Sequence, residues 1–232
     1  MTAPTPWPQF LADFRWKQGE HVAAIAPTGA GKTTLLRQLM PYRKANIVFG
    51  TKIADPQYNH MINRLGYRRV ERISEVRPWD HNVLLWPRQG NRTIPELVSA
   101  QQNAFREAMN TIVRQRAWTV WVDEAKYVAE FLKLKTELTF MVEQLRSINA
   151  TVICGAQRPV FLPQSVLSNA SHVFLWKTTH REDAAKLADM GGVDTKAVRE
   201  EALTLGDHEM LYIRTRGTDA KVIRTQVSER KK

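Results

Sequence analysis

Short apolar runs alternate with longer stretches of helical period along this chain. His21 to Ala26, Asn46 to Gly50 and Val83 to Trp86 are continuous apolar runs that predict buried strands. Thr119 to Val122, Thr151 to Cys154 and His172 to Trp176 repeat the pattern. Between them lie helical stretches. Thr33 to Met40 predicts a helix that Pro41 stops. Pro95 to Arg116 predicts a long one, because Phe105, Ala108, Met109, Ile112 and Val113 share a face. Leu134, Leu138, Met141, Val142 and Leu145 make a further stripe, and Arg181 to Met190 and Thr195 to Ala202 are shorter candidates. Met210 to Arg214 and Lys221 to Val227 read as a closing strand pair around Gly217. Strands alternating with helices predict an α/β fold with a mostly parallel central sheet and helices on both faces.

The ends are less regular. Thr2 to Pro8 is proline-rich and reads as an irregular arm, which Trp7, Phe10, Leu11, Phe14 and Trp16 could fold back onto the rest. Residues 1–18 are therefore expected to be an arm packed on the core, and 19–232 one domain ending in the basic tail Arg230-Lys231-Lys232. A chain of 232 residues suits that organisation.

Composition narrows the class. Hydrophobic residues make up 43% and charged residues 25%, as in ordinary globular proteins. No apolar run approaches the roughly 20 residues needed to span a membrane, and the N-terminus lacks a signal-peptide pattern. The lone Cys154 has no disulfide partner, which suggests a reducing compartment. A soluble, cytoplasmic protein is expected. Lys and Arg outnumber Asp and Glu by 34 to 23, a net charge of +11 that favours a polyanionic partner.

Three motifs carry chemistry. Ala26-Pro27-Thr28-Gly29-Ala30-Gly31-Lys32-Thr33 lies between a predicted strand and a predicted helix and matches the phosphate-binding P-loop, with Ala in place of the first Gly. Gly29 and Gly31 let successive N–H groups turn toward phosphates, and the helix adds its positive end. Pro27 to Thr34 would line the nucleotide. Lys32 would reach the β- and γ-phosphates, and Thr33 would ligate Mg²⁺. Val120-Trp121-Val122-Asp123-Glu124 is an apolar strand delivering two acids, the Walker B arrangement. Asp123 would hold the Mg²⁺ shell and Glu124 would position the attacking water. Thr151 to Pro159 is a strand ending in Gln157-Arg158, where Gln157 can sense a γ-phosphate. The expected cofactors are ATP and Mg²⁺.

Leu145-Arg146-Ser147, the Gln157-Arg158-Pro159 strand end and the His172 to Trp176 strand together resemble the FtsK/HerA superfamily of DNA-pumping ATPases. Over His21 to Thr178 the chain is similar in particular to the small genome-packaging ATPases of viruses. The resemblance implies a RecA-like fold and a homo-oligomeric ring, a pentamer or hexamer, that moves double-stranded DNA. It implies ATP at subunit interfaces and an arginine supplied in trans, Arg146, with Arg158 as runner-up. It also implies a capsid portal or vertex protein as docking partner, and a host's cytoplasm or the virion as location.

Lys126, Lys133 and Lys135, just after the acid pair, are candidate DNA contacts, as are Arg88 and Arg92 in a Gly-containing loop. Arg64, Arg68, Arg69 and Arg72 form a further basic cluster. Lys52 and Asp55 read as a turn. A recombination or conjugative DNA-transfer ATPase, or an assembly or secretion protein that does not act on DNA, stays open beside the packaging motor.

Overall fold

The computed structural model describes residues 4–115, 117–188, 190–216 and 221–228. The chain opens with helix α1 (Trp7–Asp13), strand β1 (His21–Ile25) and helix α2 (Lys32–Leu39). β2 (Asn46–Phe49), α3 (Pro56–Leu65), β3 (Arg68–Val70) and β4 (Asn82–Leu85) follow. The middle holds α4 (Ile94–Arg114), β5 (Thr119–Val122), α5 (Lys135–Gln144) and β6 (Thr151–Ala156). The last third runs α6 (Gln164–Asn169), β7 (Ala170–Trp176), α7 (Arg181–Leu187), α8 (Thr195–Leu203), β8 (Glu209–Arg214) and β9 (Lys221–Gln226).

Among the described residues the nine strands form one sheet in the order β3-β4-β2-β5-β6-β1-β7-β8-β9. Pairings from β3 through β7 are parallel, and β8 and β9 close the sheet antiparallel. The central strands are buried on both faces, which is why they read as unbroken apolar runs. Alternate residues feed two cores. Ala23 and Ile25 of β1 point to the layer of α4, α5, α6, α7 and α8, while Val22 and Ala24 point to the layer of α1, α2 and α3. The α/β fold with helices on both faces is the one expected.

Several elements differ from the sequence expectation. The arm is not irregular throughout: it holds α1, because Pro8 sits in the first turn, where its missing N–H costs nothing and its φ is preset. Trp7, Phe10, Leu11, Phe14 and Trp16 are all buried. The Trp7 indole donates to Gln38 of α2 at 2.8 Å, and Thr5 N–H donates to Arg224 of β9. Helices α3 and α6 and strand β3 were not expected. Pro41 ends α2 by way of a 3₁₀ turn over Met40–Tyr42. Gly217, Arg116 and the tail Arg230-Lys231-Lys232 lie outside the described residues. Among the described residues no helix is long and apolar enough to cross a membrane.

Candidate functional site

Parallel strands present their C-terminal ends along one edge of the sheet, and the three motifs leave β1, β5 and β6 at that edge. The strand order matters here. β6 lies between β1 and β5, so Gln157 emerges between the P-loop and the acid pair.

After β1 the chain turns through Gly29 (φ 82°) and Gly31 (φ 109°), conformations that side chains with a Cβ rarely adopt. Gly31 is the N-cap of α2, so the first helical N–H groups and the helix dipole face the cleft that the loop encloses. The cleft holds about 340 Å³ and is lined by the P-loop, Lys52, Gln57, Asp123, Glu124 and Gln157.

Lys32 is buried, and its ammonium bridges the second motif. It donates to the Asp123 carbonyl at 3.2 Å and lies 3.4 Å from Asp123 Oδ1 and 3.7 Å from Glu124 Oε1. Gln157 Nε2 donates to the same Glu124 oxygen at 3.4 Å. Asp123 is 3% exposed, and its Oδ1 accepts no hydrogen bond among the described residues. A buried carboxylate oxygen without a hydrogen bond, beside a hydroxyl-bearing residue of the loop, is a donor set that suits a hard cation. Thr33 and Asp123 fit Mg²⁺ on that ground.

The close approach of β6 to β5 depends on Gly155. A Cβ there would meet the Asp123 carbonyl oxygen at 2.4 Å. That carbonyl is the one Lys32 uses.

Sequence reasoning missed Lys52 and Gln57, which line the cleft. Lys52 is not merely part of a turn. Its ammonium lies 2.7 Å from Asp55 Oδ2 and 3.7 Å from Asp123 Oδ2. Burial alone would lower its pKa, but the hydrogen bond to Asp55 and the charge of Asp123 outweigh burial and raise it. On the far side of Pro27 to Ala30 a second cleft of about 420 Å³ is lined by Trp176, Lys177, Asp207 and His208. His208 Nδ1 lies 3.3 Å from the Ala30 carbonyl.

The two candidate arginines sit in different settings. Arg158 is tied within its own chain: it pairs with the buried Asp183 at 3.0 Å and with Glu182 at 3.5 Å. Asp183 also receives the Thr178 hydroxyl and the Val160 N–H, so the Gln157-Arg158 loop is pinned to α7. Arg146 is exposed, in a 3₁₀ turn (Leu145–Ile148) that leads into β6. It packs beside Gly19, just ahead of β1, at the edge of the sheet opposite the cleft.

The candidate DNA contacts split into two groups. Lys126, Lys133 and Lys135 are exposed and follow the acid pair, with the Lys126 ammonium 4.2 Å above the Phe161 ring. Arg88 and Arg92 instead converge on Glu71, at 3.5 and 3.4 Å, near the β3 edge of the sheet. In the same region Arg68 pairs with Asp80 and Arg69 lies 4.0 Å over the Trp86 ring.

Comparison with family models and with curated proteins returned no match. Solved structures do match. The genome-packaging NTPase B204 from Sulfolobus turreted icosahedral virus 2, in complex with sulfate, aligns with TM-score 0.65 at 13% identity over 91% of this chain and 98% of its own. VirB4 of Thermoanaerobacter pseudethanolicus aligns with TM-score 0.65 at 12% identity over 90% and 89%. The cytoplasmic domain of the Type VII secretion ATPase EccC from Thermomonospora curvata aligns with TM-score 0.59 at 15% identity, over 91% of this chain and 26% of that one. At such identities the shared property is the fold, and this chain has the fold of these P-loop ATPases, as its resemblance to the FtsK/HerA superfamily implies.

Proposed function

We propose that this protein is an ATP-hydrolysing motor that moves double-stranded DNA, and that it packages a viral genome. The observation that carries the reading is the cluster at the sheet edge: Lys32 within 3.7 Å of both Asp123 and Glu124, with Gln157 hydrogen-bonded to Glu124. Binding alone would need the P-loop. A carboxylate and an amide held together at its mouth supply what hydrolysis adds.

The residues divide the work. The N–H groups of Pro27 to Thr34 that are free to donate cradle the phosphates, and Lys32 moves from the two acids to the phosphate oxygens when the nucleotide enters. Thr33 and Asp123 hold Mg²⁺, which when bound offsets phosphate charge. Glu124 accepts a hydrogen bond from the attacking water and takes its proton. The water oxygen bonds to the γ-phosphorus, the bond to the β–γ bridging oxygen breaks, and ADP and phosphate leave. Gln157 reports on this step because it holds the same Glu124 oxygen. The second cleft beyond the loop offers room for the base and ribose.

The net charge of +11 supports a nucleic-acid partner, and a motor that tolerates any sequence needs phosphate contacts rather than base contacts. Lys126, Lys133 and Lys135 are the contacts proposed, since they follow Glu124 directly in the chain. Arg88 and Arg92, already paired with Glu71, are the weaker candidates. A homo-oligomeric ring, a pentamer or hexamer docked on a capsid portal or vertex protein in a host's cytoplasm, completes the proposal. A secretion ATPase is the second reading, favoured by the likeness to the Type VII secretion ATPase EccC.

Steady-state ATP turnover with and without double-stranded DNA tests this. Wild type is expected to hydrolyse ATP faster with DNA. Glu124→Gln is expected to lose turnover by about 10²-fold or more while still binding nucleotide. Turnover that ignores DNA would turn the reading toward secretion. No turnover in a folded, assembled sample would remove the motor altogether.

A further inference from the structure

The loop after β2 leaves the sheet beside β5, since Phe49 pairs with Val122, and so emerges next to Asp123. Two successive residues of that loop are fixed by buried side chains from three different parts of the fold. Thr51 N–H donates to the Tyr58 hydroxyl at 3.2 Å, and Gln101 Nε2 donates to the Thr51 carbonyl at 3.1 Å. The Trp86 indole donates to the Lys52 carbonyl at 2.7 Å. Tyr58, Gln101 and Trp86 are 2%, 1% and 6% exposed. A solvated loop lysine needs no such scaffold. This one has its backbone held by α3, α4 and the segment after β4, while its half-exposed ammonium reaches the nucleotide cleft.

The ammonium faces the P-loop lysine across one carboxylate. Lys32 lies 3.4 Å from Asp123 Oδ1 and Lys52 lies 3.7 Å from Oδ2. Both ammoniums are already neutralised by carboxylates, Lys32 by Asp123 and Glu124 and Lys52 by Asp55 and Asp123. Each can exchange such a partner for a phosphate oxygen when a polyanion enters the cleft. A lysine is apt here, because its compact charge on a flexible stem can leave Asp55 for a phosphate oxygen without moving the loop.

We infer that Lys52 is a second phosphate-binding residue of this site, contacting the terminal phosphate of a bound nucleoside triphosphate and so distinguishing it from the diphosphate. This rests on the nucleotide reading of the cleft. Lys32 keeps the β-phosphate contact with either nucleotide, whereas Lys52, set out beside Asp123, meets only the group that hydrolysis removes.

Titration of a fluorescent non-hydrolysable ATP analogue and of fluorescent ADP, with Mg²⁺, tests it on wild type, Lys52→Ala and Lys52→Arg. For Lys52→Ala, affinity for the triphosphate is expected to fall at least tenfold while affinity for ADP stays within about twofold. Lys52→Arg, which keeps the charge, is expected to retain most of the preference. Melting curves followed by circular dichroism check that both variants fold. An equal loss for both nucleotides, or no loss for either, overturns the role of Lys52 and leaves the nucleotide reading intact. A wild type that binds neither nucleotide overturns the nucleotide reading and Lys52 with it.

Discussion

Gly155 shows how narrowly single residues constrain the site. It lies on β6 where that strand passes the end of β5, and a Cβ would stand 2.4 Å from the Asp123 carbonyl oxygen and 3.2 Å from its Cα. Both are backbone atoms, so no rotamer change relieves the clash. Gly155→Ala is expected to cost about 1–3 kcal/mol, as overpacking does. In a chain of this length each kcal/mol lowers Tm by about 2–4 °C. The larger effect should be on turnover, because the displaced carbonyl is the one Lys32 holds at 3.2 Å. Melting curves and ATP hydrolysis check both parts; an unchanged kcat would show that the acid pair tolerates the shift. Its neighbour Cys154 does nothing of the kind. Burial pushes its thiol up to about 12, so it is an unreactive core residue, as its place in an apolar strand suggests.

At the scale of elements, the opposite edge of the sheet is where titration matters. His172 of β7 is buried between Glu20, 3.0 Å from Nε2, and Tyr212 of β8, 2.9 Å from Nδ1. The ionised carboxylate can only accept, so Nε2 carries the proton and the Tyr212 hydroxyl donates to Nδ1. Burial opposes charging of His172 and lowers its pKa, despite the pull of Glu20. His21 at the start of β1 accepts the Val152 N–H on Nδ1. Burial, with the charges of Arg216 and Arg146, pushes its pKa down to about 4. Above pH 6.5 neither folded nor unfolded chain protonates His21. Between 6.5 and about 4 the unfolded chain takes a proton that the folded chain refuses, so stability falls as the pH drops. Glu20 runs the same way over a lower window. Burial would raise its pKa, but the hydrogen bonds from His172 and the Lys17 N–H and the nearby charges bring it to about 2. Its contribution is present above 4.5 and lost as the pH falls toward 2. For His21 the loss amounts to about 3 kcal/mol. Denaturant titrations at pH 7, 5.5 and 4.5 should show it. His21→Asn, which keeps an acceptor for Val152, should flatten that slope; an unchanged slope would place the titration elsewhere.

The elements were legible where burial is two-sided or periodic. β1, β2, β5 and β7 announce themselves as apolar runs, and α4 and α5 by one apolar face. The misses share a cause. α3 buries Tyr58 and Met61 within a polar ten-residue stretch, so its pattern is faint. β3 is three residues long, begins Arg-Arg and sits at the sheet edge. The meeting of Lys32, Asp123, Glu124 and Gln157 in one cleft was legible because spacing between strands and motifs carries it. Lys52 was not, because its neighbours are set by strand order: β2 lies beside β5, and nothing local in the chain says so. The five-residue π turn over Tyr127–Phe131, directly after the acid pair, was equally invisible.

For the whole molecule, what matters is how an exposed basic residue far from the cleft can serve it. Some arginines are paired within the chain: Arg106 with Glu137, Arg158 with Asp183 and Arg224 with Glu209. Arg146 is exposed at the N-terminal ends of β1 and β6, while the phosphate loop leaves their C-terminal ends. Five residues of β1 separate the two edges by about 16 Å, farther than an arginine side chain extends. Arg146 therefore acts on a phosphate of another copy or on none. In a closed ring with head-to-tail interfaces, each copy would present this edge to the cleft of the next. A trans arginine would stabilise the transferring phosphoryl group, and its loss is worth about 10³-fold or more in kcat. Arg146→Ala and Lys32→Ala subunits are each expected to be inactive. Mixed in equal amounts before assembly they should recover activity, since a subunit with an intact P-loop can then sit beside one with an intact arginine. Random mixing makes about a quarter of the sites competent if neighbours act independently. ATP turnover of the mixture, against each variant alone, measures this. An inactive mixture from subunits shown to co-assemble would remove Arg146 from the reaction, and so would an Arg146→Ala protein that turns over normally by itself.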